Sequence, residues 1–263
     1  MSRRGFALIT VLWLVAALTT AVGLGLSAAR VGNAASANRL VLTRSRWAAE
    51  ACLAIAQARW GDHRLVDTMS IDLGRETRCR WRVEDPTARF NVNTVDEEVL
   101  KKVSGVGGQG SGTDFLRTVM AHRPFEDMTQ VAALPGEDSV LLDLFTVDGP
   151  GTVNLAGAPP RVLEALPGLS VEAVQMLLQD RALQQPIGSL DALAARLSPA
   201  GRAVLLANYA DLSRLVTFAS PLLRLTAEGW VTGLGDPGGL HATIEVLLVP
   251  LPDRLATVRR RMW

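Results

Sequence analysis

Few residues in this chain have types that could do chemistry, and they do not converge. Cys52 and Cys79 are too few for a disulfide scaffold and lack the close spacing of a metal site. A single bridge between them is open to the chain if it reaches an oxidising compartment. His63, His122 and His241 lie far apart, with no matching Cys, His or Asp cluster beside any of them, and no Gly-x-Ser-x-Gly nucleophile elbow occurs. The run Gly105-Val106-Gly107-Gly108-Gln109-Gly110 matches the dinucleotide fingerprint in its letters. It follows a helical stretch rather than a strand, and Ser111-Gly112 behind it predicts that no helix opens there to face a pyrophosphate. The acidic groups Asp96-Glu97-Glu98 and Glu126-Asp127 read as helix starts, where carboxylates favour the helix dipole. No loop carries a calcium-binding signature. These patterns describe a binding or structural protein, not an enzyme.

The elements that would position such residues begin with the N-terminus. Arg3 and Arg4 directly precede an uncharged run from Gly5 to Ala29. Phe6–Ala29 is 24 residues, about 36 Å as a helix, enough to cross a hydrocarbon core of roughly 30 Å. With both arginines on the cytoplasmic side, everything after Ala29 is expected outside the cytoplasm. No proline occurs before Pro86. Beyond Ala29 the apolar residues Leu40, Trp47, Ala51, Ile55 and Ala58 recur at helical intervals, with Arg39, Arg46 and Glu50 off that stripe. The spacing predicts one helix from Phe6 to Trp60, stopping at Gly61-Asp62: a membrane half, then a stalk whose stripe packs against a head. Gly23, Gly25 and Gly32 are its weak points or its sites of close helix approach.

Three readings of this start compete. A secretory signal cut near Leu26-Ser27-Ala28 would have an apolar stretch of only about 7–15 residues. A twin-arginine signal rests on Ser2-Arg3-Arg4-Gly5-Phe6 alone and fits poorly with so apolar a run. The third is carried by Arg3-Arg4-Gly5-Phe6-Ala7-Leu8-Ile9, which resembles the cleavage junction of type IV pilins and pseudopilins. That resemblance implies cutting after Gly5 by a prepilin peptidase and N-methylation of Phe6. The family places a glutamate at the fifth mature residue, thought to meet the N-terminal amine of the subunit ahead; here that residue is Thr10. A buried carboxylate with no such partner is costly in lipid, so Thr10 fits a subunit with no neighbour ahead of it.

The middle of the chain contains an internal repeat. Phe90-Asn91-Val92, Val99-Leu100 and Gly105-Val106 recur 63 residues later as Val153-Asn154-Leu155, Val162-Leu163 and Gly168-Leu169. Pro124-Phe125 is echoed by Pro186-Ile187. The repeat predicts two stacked helical modules sharing a core. Val103-Ser104-Gly105-Val106-Gly107 and Leu166-Pro167-Gly168-Leu169 look like the hairpins of helix-hairpin-helix motifs, and Leu134-Pro135-Gly136 like a third, partial one. Together with the leader, this resembles the minor pseudopilin K family of type II secretion (general secretion pathway protein K). Ala156 departs from the asparagine expected in the second copy, which the first keeps as Asn93.

The resemblance implies an α+β fold: a pilin-like long N-terminal helix and small antiparallel sheet, with a large all-α helix-hairpin-helix or SAM-like insertion. The expected division is a leader at 1–5, a transmembrane helix at 6–29, a stalk at 30–62, a first strand region at 63–85, the insertion at 86–215, and returning strands with a C-terminal tail at 216–263. Strands are read at Cys79–Val83, Leu223–Gly229 and Leu240–Val249, the last two joined by a turn at Gly235-Asp236-Pro237-Gly238. Arg254, Arg259, Arg260 and Arg261 read as a solvated end. The resemblance further implies a single-pass protein of the bacterial inner membrane with a periplasmic head, where Cys52 and Cys79 pair. Its partners would be other minor pseudopilins (I and J type), met along the Leu40–Ile55 stripe, with the prepilin peptidase and the inner-membrane secretion platform. Relatives can bind calcium, and no residue is assigned to that here. The rival function is DNA binding or uptake through the hairpins. Residues 86–215 carry 10 Lys/Arg against 15 Asp/Glu, and Ser170 stands where the DNA-binding hairpin has glycine, so nucleic acid is not expected as a partner.

Overall fold

A computed structural model of the chain describes residues 3–62, 65–100, 111–134, 142–185, 187–232 and 241–263. The chain is α+β. Helix α1 runs without interruption from Arg3 to Gly61, as the absence of proline and the terminal glycine require. Two threonines in the apolar half turn back on the helix itself. The Thr19 hydroxyl donates to the carbonyls of Val15 and Ala16, and Thr20 donates to Ala16, which spares both hydroxyls the cost of being unpaired in an apolar medium.

By packing, the chain forms two compact units. The first comprises residues 1–82, 226–245 and 261–263; the second comprises residues 83–225 and 246–260. Five of the strands form one sheet of order β1-β2-β7-β8-β9, with β1 at Thr68–Gly74, β2 at Thr77–Glu84, β7 at Leu223–Val231, β8 at His241–Pro250 and β9 at Leu255–Met262. β1 and β2 form an antiparallel hairpin with Ile71 opposite Cys79 and Met69 opposite Trp81. Arg75 and Glu76 both take positive φ at its tip, the conformation a tight two-residue turn demands. Within this sheet, β1 falls in the region 63–85 expected to hold the first strands without having been delimited there, and β9 takes up the residues expected as a solvated tail. The turn at Gly235–Gly238 lies outside the described residues.

In the first unit, α1 buries Val41, Ser45, Ala48, Ala49, Cys52, Leu53 and Ala56, a stripe at intervals of three and four. Most of these are small because a strand crosses close by. A Cβ on Gly229 of β7 would lie 2.2 Å from the Ser45 carbonyl oxygen and 2.4 Å from the Ala49 nitrogen. Trp81 of β2 is fully buried, its indole N–H donating to the Val66 carbonyl and its ring under the Arg59 guanidinium at 5.6 Å. The stripe expected from the sequence is thereby corrected: Leu40 and Trp47 are 54% and 73% exposed, on the face of α1 that does not pack inward.

The second unit holds the repeat. Each copy opens and closes with a two-residue strand, and the two lie side by side in parallel: β3 (Phe90–Asn91) with β4 (Phe145–Thr146), and β5 (Val153–Asn154) with β6 (Val216–Thr217). Between β3 and β4 lie a helical turn at 97–100, α2 (Ser111–His122) and α3 (Met128–Ala132). Between β5 and β6 lie α4 (Pro160–Ala165), α5 (Val171–Ala182), α6 (Leu190–Arg196), α7 (Pro199–Ala207) and α8 (Tyr209–Leu215). Among the described residues the regular structure of the insertion is thus helical apart from these two small ladders. One apolar core runs through both copies, with Phe115, Phe145, Leu155, Leu163 and Leu205 among its fully buried members. α2 opens at Ser111, where no helix start was expected. Phe115, Leu116 and Val119 bury one face of it, and that burial outweighs the weak propensity of Gly112.

Candidate functional site

Gly5 and Phe6 lie in the opening turns of α1, and Thr10 follows as an exposed residue. From Val11 to Val31 the large apolar side chains of α1 stand exposed. Among the described residues this is one helix long and apolar enough to cross a membrane. Past that segment Cys52 of α1 meets Cys79 of β2 in a disulfide with a Cα–Cα distance of 6.0 Å, both cysteines fully buried.

The paired modules are tied by reciprocal hydrogen bonds. Asn91 and Asn154 hold equivalent places at the end of β3 and β5, and each accepts with Oδ1 from the amide two residues on, Asn93 and Ala156. Their Nδ2 groups then reach out of the module. Asn91 donates to the Gly149 carbonyl, in the segment entering the second copy. Asn154 donates to Asp85, in the segment entering the first. Gly149 and Gly151, both at positive φ, lie where Cβ atoms would press on Thr87 and Thr94. Asn93 shows why the second copy can do without it: its side chain exchanges two hydrogen bonds with the Phe125 backbone, a brace particular to the first module. Two arginines missed by the sequence reading complete the pattern. Arg123 donates to the Val95 carbonyl, and Arg181 to those of Leu155 and Ala158, so each closes the turn after its module's first strand. Burial pulls both guanidiniums below their ordinary value, with Asp96 pulling Arg123 back upward.

The second hairpin forms as expected between α4 and α5. Gly168 takes φ +81°, and a Cβ there would meet Asn208 at 2.5 Å. The Ser170 hydroxyl caps α5 by accepting from the Ala173 amide, so the side chain at the position that departs from glycine is engaged in the fold. Pro167 of the hairpin borders an open groove of about 400 Å3 also lined by Asp96, Glu97, Glu98, Asp211 and Arg214. Four carboxylates against one guanidinium repel a phosphate backbone rather than attract it. The first hairpin, the glycine run to Gly110, Lys101, Lys102, the Pro135-Gly136 hairpin, Pro186 and His63 lie outside the described residues. Of the other histidines, His122 bonds the Thr118 carbonyl and His241 lines a small cavity with Arg80, Glu228 and Trp230; the structure does not bring them together. Among the described residues no three His, Cys, Asp or Glu side chains are grouped to hold a metal.

A buried ion cluster in the second unit also escaped the sequence. Asp148, 4% exposed, receives hydrogen bonds from Arg224 and Arg259, with Arg224 also 3.9 Å from Glu84. Burial pushes the Asp148 carboxyl up, but the hydrogen bonds and charges of the two arginines outweigh it and hold the group below its ordinary value. These partners stand 76 and 111 residues away along the chain, and the only local signal is the Gly149-Pro150-Gly151 turn that follows.

A long apolar helix continuing into a small antiparallel sheet, with a paired helical insertion, defines the pilin-like class of fold. The fold is similar across nearly the whole chain to that in the crystal structure of the GspK-GspI-GspJ complex from the type 2 secretion system of enterotoxigenic Escherichia coli. A chain of that structure matches with a TM-score of 0.54 and 14% identity, over 89% of this chain and 95% of its own. No protein-family model matches the sequence, and no curated protein matches it.

Proposed function

We propose that this chain is a structural minor pseudopilin of the K type, at the tip of a type II secretion pseudopilus, where it starts assembly and supports protein export across the outer membrane. The observation that carries this reading is the union, in one chain, of an unbroken apolar helix with a two-module helical insertion in an α+β head, an arrangement shared along nearly its full length with a chain of the GspK-GspI-GspJ complex. On this reading a prepilin peptidase cuts after Gly5, Phe6 is N-methylated, and the helix remains as a single-pass inner-membrane anchor with the head in the periplasm. Thr10 leaves no carboxylate to seek a subunit ahead, and the insertion obstructs stacking above. Partners are the I-type and J-type minor pseudopilins and the inner-membrane platform.

The test is the mass and N-terminal residue of the membrane-extracted protein, with photo-crosslinkers on the outer face of the insertion. The expected result is a chain beginning at methylated Phe6, and no captured subunit at the insertion. An N-terminus near residues 28–37 overturns the pilin reading. Copies of this chain captured above one another overturn the tip position and leave the class standing. The hairpin of α4 and α5 favours one second reading, a pilin-like DNA-binding protein; duplex DNA bound at physiological salt would establish it, and the acidic groove beside Pro167 argues against it.

A further inference from the structure

The strands of the first unit have an outer face as well as the one packed on α1. Gly229 of β7 abuts α1, so strand alternation sends Glu228 and Trp230, on either side of it, to the opposite face. There, with Arg80 of β2 and His241 of β8, they line a cavity of about 190 Å3. Sites for drug-sized ligands begin at roughly 300 Å3; this one has room for a single small ring. Arg80 donates through Nη2 to the Glu228 carboxylate, which holds a strong donor and a strong acceptor side by side in the cavity wall. Thr243 stands two residues beyond His241, on the same face. It exchanges both backbone hydrogen bonds with Trp263, which sets Trp263 directly opposite on that face, 63% exposed. β8 separates β7 from β9, so Trp230 and Trp263 stand two strand spacings apart, about 10 Å across the sheet.

An anion in this cavity would meet Glu228 and a cation Arg80, and a purely apolar group would cover the ion pair at the cost of its desolvation. A proline-rich segment suits aromatic clefts, but its prolines offer carbonyls and no N–H. It would serve Arg80 and leave the Glu228 carboxylate covered without a donor. A sugar hydroxyl both donates and accepts, so neighbouring hydroxyls of one ring serve Arg80 and Glu228 together. The C–H face of that ring then lies on the electron-rich face of Trp230. In an extended β-1,4-linked chain like faces recur at every second sugar, a repeat that suits a second stacking position at Trp263. We propose that this face, from the Trp230 cavity to Trp263, binds a neutral β-1,4-linked glycan, the chemistry of a cell-wall strand. The binding chemistry stands on these residues alone; the choice of the cell wall as its source rests on the pseudopilin reading, which puts the head in the periplasm.

Chitotetraose, a soluble neutral β-1,4-linked chain, would be titrated into the full chain in zwitterionic lipid nanodiscs, with saturation-transfer NMR reporting which sugar protons lie against the protein. The expected result is binding with transfer to the ring C–H protons, a reading that needs no variant. Affinity should fall about ten-fold in Trp230→Ala, as loss of one stacked ring gives, and return in Trp230→Phe, which keeps an aromatic face. It should fall again in Glu228→Gln, which keeps the shape and removes the charged acceptor. Purified cell-wall sacculi should sediment with the chain, and lipopolysaccharide micelles should not. No binding of chitotetraose, binding unchanged in Trp230→Ala, tighter binding of decaproline, or sedimentation with lipopolysaccharide alone would overturn the proposal. So would a photo-crosslinker at position 230 that captures a protein in place of a glycan. The N-terminal mass is read separately, so failure of this site leaves the pseudopilin reading standing, and failure of that reading leaves the chitotetraose titration its own result.

Discussion

Asp148 concentrates more buried charge than any residue the sequence reading singled out. Its carboxylate serves two arginines whose side chains are 17% and 31% exposed, so removing its charge takes one ion pair from each. Asp148→Asn is expected to destabilise the chain by roughly 3 kcal/mol, the cost of breaking a buried pair from one side, measured by denaturant unfolding of the head. The pH dependence has a definite sign. The folded carboxyl is held below its ordinary value, so its contribution is complete above about pH 3.9, the value of an unfolded aspartate, and fades as pH falls towards the lower folded one. The wild-type chain should therefore lose stability over that acid window more steeply than Asp148→Asn, and parallel acid limbs would show that Asp148 is not the responsible group. Asn91 and Asn154 were legible as a repeated pair because both occur inside a matched triplet. Arg123 and Arg181 were not: they do the same job from the C-terminal ends of α2 and α5, but at positions 58 rather than 63 residues apart, so the repeat does not align them.

At the scale of elements, α1, β2, β7, β8 and the hairpin of the second module could be read from the sequence, since each rests on local signals: an unbroken proline-free run, alternation, or a glycine between helices. The inward face of α1 could not. Weighting by hydrophobic size picks out Leu40 and Trp47, yet the centre of the packed stripe is Ser45, Ala48 and Ala49, because the strand passing at Gly229 leaves room there for nothing larger. The choice of residues was set by a distance, which sequence does not display. Gly229→Ala is accordingly expected to cost about 1–3 kcal/mol, the penalty of overpacking, visible as a lowered melting temperature; an unchanged one would mean that β7 and α1 separate freely. The bridge between Cys52 and Cys79 ties the same two layers. Its loop, closed across 27 residues, stabilises by about 3.5 kcal/mol on the chain-entropy model. Thiol labelling of the denatured, unreduced protein should find no free thiol, and Cys52→Ser/Cys79→Ser should lower stability by a similar amount.

For the whole molecule, the sequence spoke clearly about class and only partly about architecture. The leader, the long helix and the repeat are all one-dimensional patterns, whereas the pairing of β3 with β4 and β5 with β6 joins residues more than fifty positions apart and leaves no trace in local composition. Those small parallel ladders have a consequence for how such a chain could arise. A segment whose first and last strands lie shoulder to shoulder enters and leaves its surroundings at one point. Copying it in tandem requires a splice at ends that already touch, and neither the sheet before it nor the strands after it need be re-threaded. The spacing of 63 residues between copies then reads as the length of one such cassette. Chains with one copy, or with three, become accessible by the same event, each presenting a head of different breadth on an unaltered stalk.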